Sequence, residues 1–163
     1  MQLVSLLEKM KMDHISGQLD ALCEQAAKKD MNYRDFLTDV LQTEWTGRHQ
    51  KGVEARLKLA RFPWMKTMEQ FDFSFQPTID RKVIRELSSV AFVERGENII
   101  ILGPPGVGKT HLSVALGVKA LEAGHTVLFL TLESMITRLT RARMENRVER
   151  QLIQFVSPKV LII

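Results

Sequence analysis

Ile99-Ile100-Ile101-Leu102-Gly103-Pro104-Pro105-Gly106-Val107-Gly108-Lys109-Thr110 is the stretch that decides how the rest of the chain is read. Four apolar residues of strand character run into a glycine. Gly-Lys-Thr follows after four more residues, and a segment of helical apolar spacing extends from His111 to Ala123. Strand, glycine-rich loop and helix in this order form the frame of a phosphate-binding loop. Glycines at 103, 106 and 108 keep Cβ atoms away from amides that must approach a phosphate closely. The positive end of the helix beginning near Lys109 adds to the attraction for an anion. Lys109 is expected to reach the β- and γ-phosphates, and the Thr110 hydroxyl to ligate Mg²⁺. The expected nucleotide site therefore comprises Gly103, Pro104, Pro105, Gly106, Val107, Gly108, Lys109, Thr110 and His111, with Thr110 as the metal ligand.

Before this stretch, residues 80–93 repeat apolar side chains at helical spacing through Val83, Ile84, Leu87 and Val90, and 95–98 form a turn into the first strand. After the loop helix, Gly124 suits a position just beyond a helix end. Residues 126–131 predict a second strand, 132–156 a helix, and Val160-Leu161-Ile162-Ile163 a third strand. Upstream, residues 2–61 contain no proline and look helical. Leu3, Leu6, Leu7 and Met10 begin the pattern; Ile15, Leu19 and Leu22 continue it after Asp13, a plausible N-cap. Tyr33, Phe36, Leu37, Val40 and Leu41 form the next apolar stripe, expected to build a small bundle core. Phe62-Pro63-Trp64 ends the helical pattern. The expected organisation is a helical domain over 1–66, a connector over 67–79 and a nucleotide-binding α/β domain over 80–163.

The formal charge is +4 and the sequence pI about 9.4. Between Arg48 and Lys66 lie Arg48, Lys51, Arg56, Lys58, Arg61 and Lys66 against the single acid Glu54. Residues 138–150 add Arg138, Arg141, Arg143, Arg147 and Arg150. The first stretch is either a solvated helix face or a grip on DNA phosphates, the second a solvated face or a DNA-facing or subunit-facing surface, and composition does not choose between them. Arg48, Lys51, Arg56, Lys58, Arg61, Arg138, Arg141 and Arg143 are the DNA-binding candidates. Cys23 is the only cysteine, so an intramolecular disulfide is excluded; it is expected to be a buried, inert thiol. The four histidines lack zinc-ligand spacing. With no secretory pattern and no apolar run long enough for a bilayer, a cytoplasmic protein with no membrane partner is expected.

The run Gly103 to Leu112, with His111-Leu112 directly after Gly-Lys-Thr, resembles the IstB/DnaC-type branch of AAA+ ATPases. Phe62-Pro63, Phe71-Asp72-Phe73 and the long helical N-terminus resemble the IstB members more than the helicase loaders. The resemblance implies a P-loop AAA+ domain, a three-layer α/β/α unit with a parallel sheet. It further implies ATP and Mg²⁺ as cofactors, with DNA and the transposase of the same mobile element as partners. Assembly as a homo-oligomer on DNA and a helper role in transposition of an insertion sequence complete the expectation. Helicase loading in replication is the alternative within this fold, and a non-hydrolysing DNA-binding remnant the alternative outside it. Family members continue past the third strand into acidic Walker B residues, which position Mg²⁺ and the attacking water. This sequence reaches Ile163 without them, so the domain is expected to be incomplete, with nucleotide binding expected and efficient hydrolysis not. In the family's sheet order a later strand separates the Ile99 and Val160 strands. Without it the chain is expected to expose unpaired edges and to be marginally stable or prone to aggregate.

Overall fold

The computed structural model describes residues 3–163, which divide into two compact units, up to Gly52 and from Val53 to Ile163. In the first, helices α1 (Leu3–Lys9), α2 (Asp13–Ser16) and α3 (Leu19–Lys28) precede the long α4 (Tyr33–Ala60), whose last residues belong to the second unit. The first unit is organised by a carboxylate. Glu44, only 4% exposed, accepts the backbone N–H groups of His14 and Ile15 at 3.0 and 3.1 Å and the Arg48 Nε–H at 2.7 Å. It thus satisfies amides in the first turn of α2 that have no partner within that helix. Arg48 continues the network by donating to the carbonyls of Met10 and Lys11. Burial works against the charged form of Glu44, but the Arg48 hydrogen bond and the two amides outweigh it and hold its pKa below the usual carboxylate range.

Several features of this unit depart from expectation. Asp13 is the first residue of α2 and not its cap; Met12 stands at the N-cap without a side-chain bond, because Glu44 satisfies the amides. The stripe on α4 is not a core: Tyr33 is 94% exposed, and Leu37, Leu41 and Trp45 are exposed with it. Cys23 is exposed, since no residue of α3 is buried. Apolar spacing establishes a helix face, but burial also requires a surface to cover it.

The second unit is built around α7 (Lys109–Glu122), which buries Leu112, Val114–Val118, Ala120 and Leu121. One face of a two-stranded parallel sheet lies against it. Strands β1 (Val127–Phe129) and β2 (Val160–Ile162) pair with Val127 opposite Val160 and Phe129 opposite Ile162. Alternation of side chains then sorts the residues. Val127, Val160 and Ile162 pack with Ala120, Leu121, Phe92 and Val90, while Leu128 and Leu161 pack on the other face with Leu130, Phe155 and Leu139. Leu139 comes from α8 (Leu132–Met144) and Phe155 from α9 (Val148–Val156), giving helix, sheet and helix layers. Gly117 permits a close approach: a Cβ there would lie 2.8 Å from Phe62 and 2.9 Å from Ile162.

Three expectations are corrected here. Residues 99–102 form no strand: β1 and β2 pair only with each other, so these apolar residues have no ladder to join. The helix expected over 80–93 is two, α5 (Arg81–Ser88), capped by Asp80, and α6 (Ala91–Arg95), separated by Val90 at φ +55°. The helix expected over 132–156 is likewise divided, with Asn146 at φ +52°. Isolated left-handed residues of this kind break a helix without disturbing its apolar periodicity.

Two substitutions test these contacts. Glu44→Ala should destabilise the chain by about 2 kcal/mol, because two amides and a guanidinium lose their buried acceptor. The native Glu44 contribution is present above pH 4.5 and lost as pH falls below it, since the folded pKa is depressed; urea titrations of both proteins at pH 7 and pH 4 would show the difference shrinking in acid. Gly117→Ala should cost about 1–3 kcal/mol through overpacking, read as a lower urea midpoint.

Candidate nucleotide-binding site

The loop between Leu102 and α7 is shaped by two backbone positions. Gly106 has φ +80° and Gly108, the N-cap of α7, has φ +90°. Gly108 is doubly constrained, because a Cβ there would also come within 2.7 Å of the Phe71 ring. The amides of Gly106, Val107 and Gly108 donate no hydrogen bond. They lie at the N-terminus of a 14-residue helix, where the helix dipole favours negative charge. Lys109 folds back over the loop and donates from Nζ to the carbonyls of Gly103 at 2.8 Å and Pro104 at 2.7 Å. An ammonium group is thereby held across the loop's mouth. Unpaired amides, a positive helix end and a tethered lysine fit a phosphate chain. The Thr110 hydroxyl, on the exposed first turn of α7, can offer one ligand to a phosphate-bound Mg²⁺.

His111 is placed differently from its neighbours in the expected set. Its Nε2 lies 3.0 Å from the Thr67 carbonyl, which can only accept, so this nitrogen carries the proton. The ring packs edge-on against Phe71 at 5.1 Å, and Phe71 against Phe73 at 4.9 Å. His111 therefore braces the loop against the segment before the domain. That segment forms a short 3₁₀ helix, Met68–Gln70, with the Thr67 amide donating to the Gln70 side chain. Lys119 of α7 donates to Glu69 at 2.9 Å, and this hydrogen bond holds the Glu69 carboxyl down to about 2. The ionic tie is intact above the ordinary carboxylate range and is lost as pH falls from about 4.5 towards 2. Phe71 and Thr67 were not singled out by the sequence as site residues; the alternating Phe71 and Phe73 were their only visible signal.

Below the loop, a cleft of about 450 Å³ separates Ile99 and Ile101 from Lys159–Ile163. Lys109, Thr110 and Gly117 line its other wall. Residues 99–101 join no ladder, and β2 pairs with β1 alone.

The basic candidates are dispersed. Arg48 is engaged with Glu44 and two carbonyls, and Lys51 is exposed on α4; both belong to the first unit. In the second unit Arg56 donates to the Leu121 carbonyl at 3.2 Å, anchoring α4 to the end of α7, and Lys58 is exposed. Arg61, Arg138 and Arg141 line one hollow together with Arg147 and Arg150, whereas Arg143 does not line it.

Gly108→Ala should raise the loop's conformational energy and push on Phe71, lowering stability by about 1–2 kcal/mol. A thermal melt would register this as a lower midpoint.

The family of IstB-like ATP binding proteins matches residues 5–163. A protein of Pseudomonas aeruginosa, named for ATP binding in insertion sequence IS21, is 62% identical over 162 residues, 99% of this chain and 61% of its own length. One from Geobacillus stearothermophilus, named likewise for IS5376, is 39% identical over 88% of this chain and 57% of its own length. A third, from Bacillus thuringiensis subsp. berliner and named for IS232, is 33% identical over 99% of this chain and 65% of its own length. The chain thus spans about three-fifths of the length of these curated relatives. No helix among the described residues is long and apolar enough to cross a membrane. With a family match across nearly its whole length, the chain belongs to the IstB-like ATP binding proteins.

Proposed function

We propose that this chain binds ATP with Mg²⁺ at the Gly103–Thr110 loop and serves, with a partner transposase, as a DNA-associated helper for moving an insertion sequence. One observation carries the nucleotide assignment: Lys109 Nζ is held over a loop whose Gly106, Val107 and Gly108 amides are unpaired. Within this reading the loop amides and Lys109 hold the phosphates, and Thr110 ligates the metal, whose bound charge offsets that of the triphosphate. The relatives' names, each tied to an insertion sequence, support transposition over helicase loading. DNA, a transposase and self-association are partners of the proposed complex, which would act in the cytoplasm. The exposed apolar face of α4, with Tyr33, Leu37, Leu41 and Trp45, supports a protein contact there.

Residues 53–163 are read as part of a P-loop AAA+ domain with helices on both faces of its sheet. Its two strands and the apolar run at 99–102 are read as parts of a larger parallel sheet, a reading supported by the cleft that Ile101 and Ile162 both line. The described residues supply binding. Among those lining the cleft beside Lys109 and Thr110, Glu97 is the one carboxylate, and it is engaged by Arg95 at 2.7 and 2.8 Å. Hydrolysis is therefore not proposed for these residues alone.

Titration with a fluorescent ATP analogue in the presence of Mg²⁺ tests the site. The 163-residue chain should bind saturably, and Lys109→Ala should weaken binding by at least about tenfold, as loss of a charge-assisted contact implies. Equal binding by both proteins would refute the assignment. The free edges also carry an expectation: the chain alone should elute partly as aggregates and melt with low cooperativity. A soluble, cooperatively unfolding monomer would contradict the unfilled-sheet reading.

A further inference from the structure

Phe71 is only 8% exposed, yet it belongs to neither apolar cluster that packs on the sheet. Its neighbours are the end of the Gly103–Gly108 loop and the first turn of α7. The ring edge comes within 2.7 Å of the place where a Cβ of Gly108 would sit. The rings of His111 and Phe73 meet it edge-on, at 5.1 and 4.9 Å. Phe73 in turn lies under the Arg81 guanidinium at the start of α5, 5.4 Å from the ring centre. Three hydrogen bonds hold the segment that carries Phe71. His111 Nε2 donates to the Thr67 carbonyl, the Thr67 amide to the Gln70 side chain, and Lys119 Nζ to Glu69.

Gly108 is therefore held from two sides. Its carbonyl accepts the Leu112 N–H at 3.0 Å within α7, and Phe71 covers its α-carbon. Its own N–H donates to no protein acceptor, so these two contacts set where that N–H points. A glycine at φ +90° has no side chain to fix its conformation, and whatever packs on it must do so. None of residues 67–73 lines the cleft beside Lys109 and Thr110.

We infer that Phe71 and His111 are positioning residues for the nucleotide. Phe71 keeps the Gly108 amide aimed at the phosphate, and His111 fastens the segment of Phe71 to α7. The inference rests on nucleotide binding at Gly103–Thr110 as proposed above, and it makes His111 a brace of that loop and not a phosphate ligand. A loop released from this bracket samples other conformations. Its apparent affinity then falls by the fraction of time it spends in the competent one.

The test combines titration of the full 163-residue chain with a fluorescent ATP analogue and Mg²⁺, and amide exchange measured without nucleotide. Phe71→Leu keeps an apolar side chain but removes the ring. His111→Leu removes the donor to Thr67, whereas His111→Gln keeps an N–H donor. Phe155→Leu is the control, a ring lost from the opposite face of the sheet. Phe71→Leu and His111→Leu should each weaken binding about fivefold or more. Both should speed exchange over 106–110 by at least about threefold, with β1 and β2 unchanged. His111→Gln should bind within about twofold of the native chain. Phe155→Leu should lower the thermal midpoint but change affinity by less than about twofold. Native affinity in Phe71→Leu and His111→Leu would overturn the inference. So would an equal loss in Phe155→Leu, a rise in exchange that extends through both strands, or binding by His111→Gln as weak as by His111→Leu. Failure of the nucleotide reading itself has a different signature: the native chain and Lys109→Ala would then bind equally, whereas failure of the bracket alone leaves their difference intact.

Discussion

Burial of α7 is the constraint on which the second unit depends. Eight of its residues are buried, so the helix cannot shift without disturbing both its contacts with the sheet and those with α5 and α6. Gly117 lets Phe62 and Ile162 close on its middle, and Arg56 binds the carbonyl of Leu121 near its end. The N-terminus of that fixed helix follows directly on the Gly103–Gly108 loop, the proposed phosphate site. The unpaired amides therefore need not be organised by a ligand; they are presented by a helix whose other end is anchored in the core. Preorganisation of this kind lowers the ordering cost of binding.

The loop is braced from outside as well. Phe71 fills the space where Gly108 has no Cβ, and His111 fastens to the Thr67 carbonyl. Glu69 adds a charged tie to Lys119 two turns further along α7. The segment around 67–73 is in this sense a bracket for the site and not merely a linker.

Much of this was legible in the sequence, and the remainder has identifiable physical reasons. Gly-Lys-Thr after an apolar run located the loop, because few other arrangements require glycines and a lysine at that spacing. Gly124 and the turn at Phe62-Pro63 marked helix ends correctly, since both act through local backbone geometry. The strand at 99–102 did not form, because a strand exists only when another backbone pairs with it, and that depends on residues elsewhere in a sheet. Val90 and Asn146 interrupted two helices without altering their apolar spacing. Tyr33 and Leu41 had the pattern of a core but no surface to cover them. Arg48 and Arg56 read as DNA-binding candidates or solvated charge, yet their guanidinium groups bond carbonyls; neither role is visible before the chain is folded.

The proposed nucleotide site rests on the claim that the Gly106–Thr110 backbone receives phosphate. Hydrogen–deuterium exchange across this segment, measured with and without ATP and Mg²⁺, tests it most directly. The expected result is slowed exchange of the 106–110 amides on addition of nucleotide, with the effect lost in Lys109→Ala. Unchanged exchange at saturating nucleotide, or equal protection in the Lys109→Ala protein, would contradict the claim.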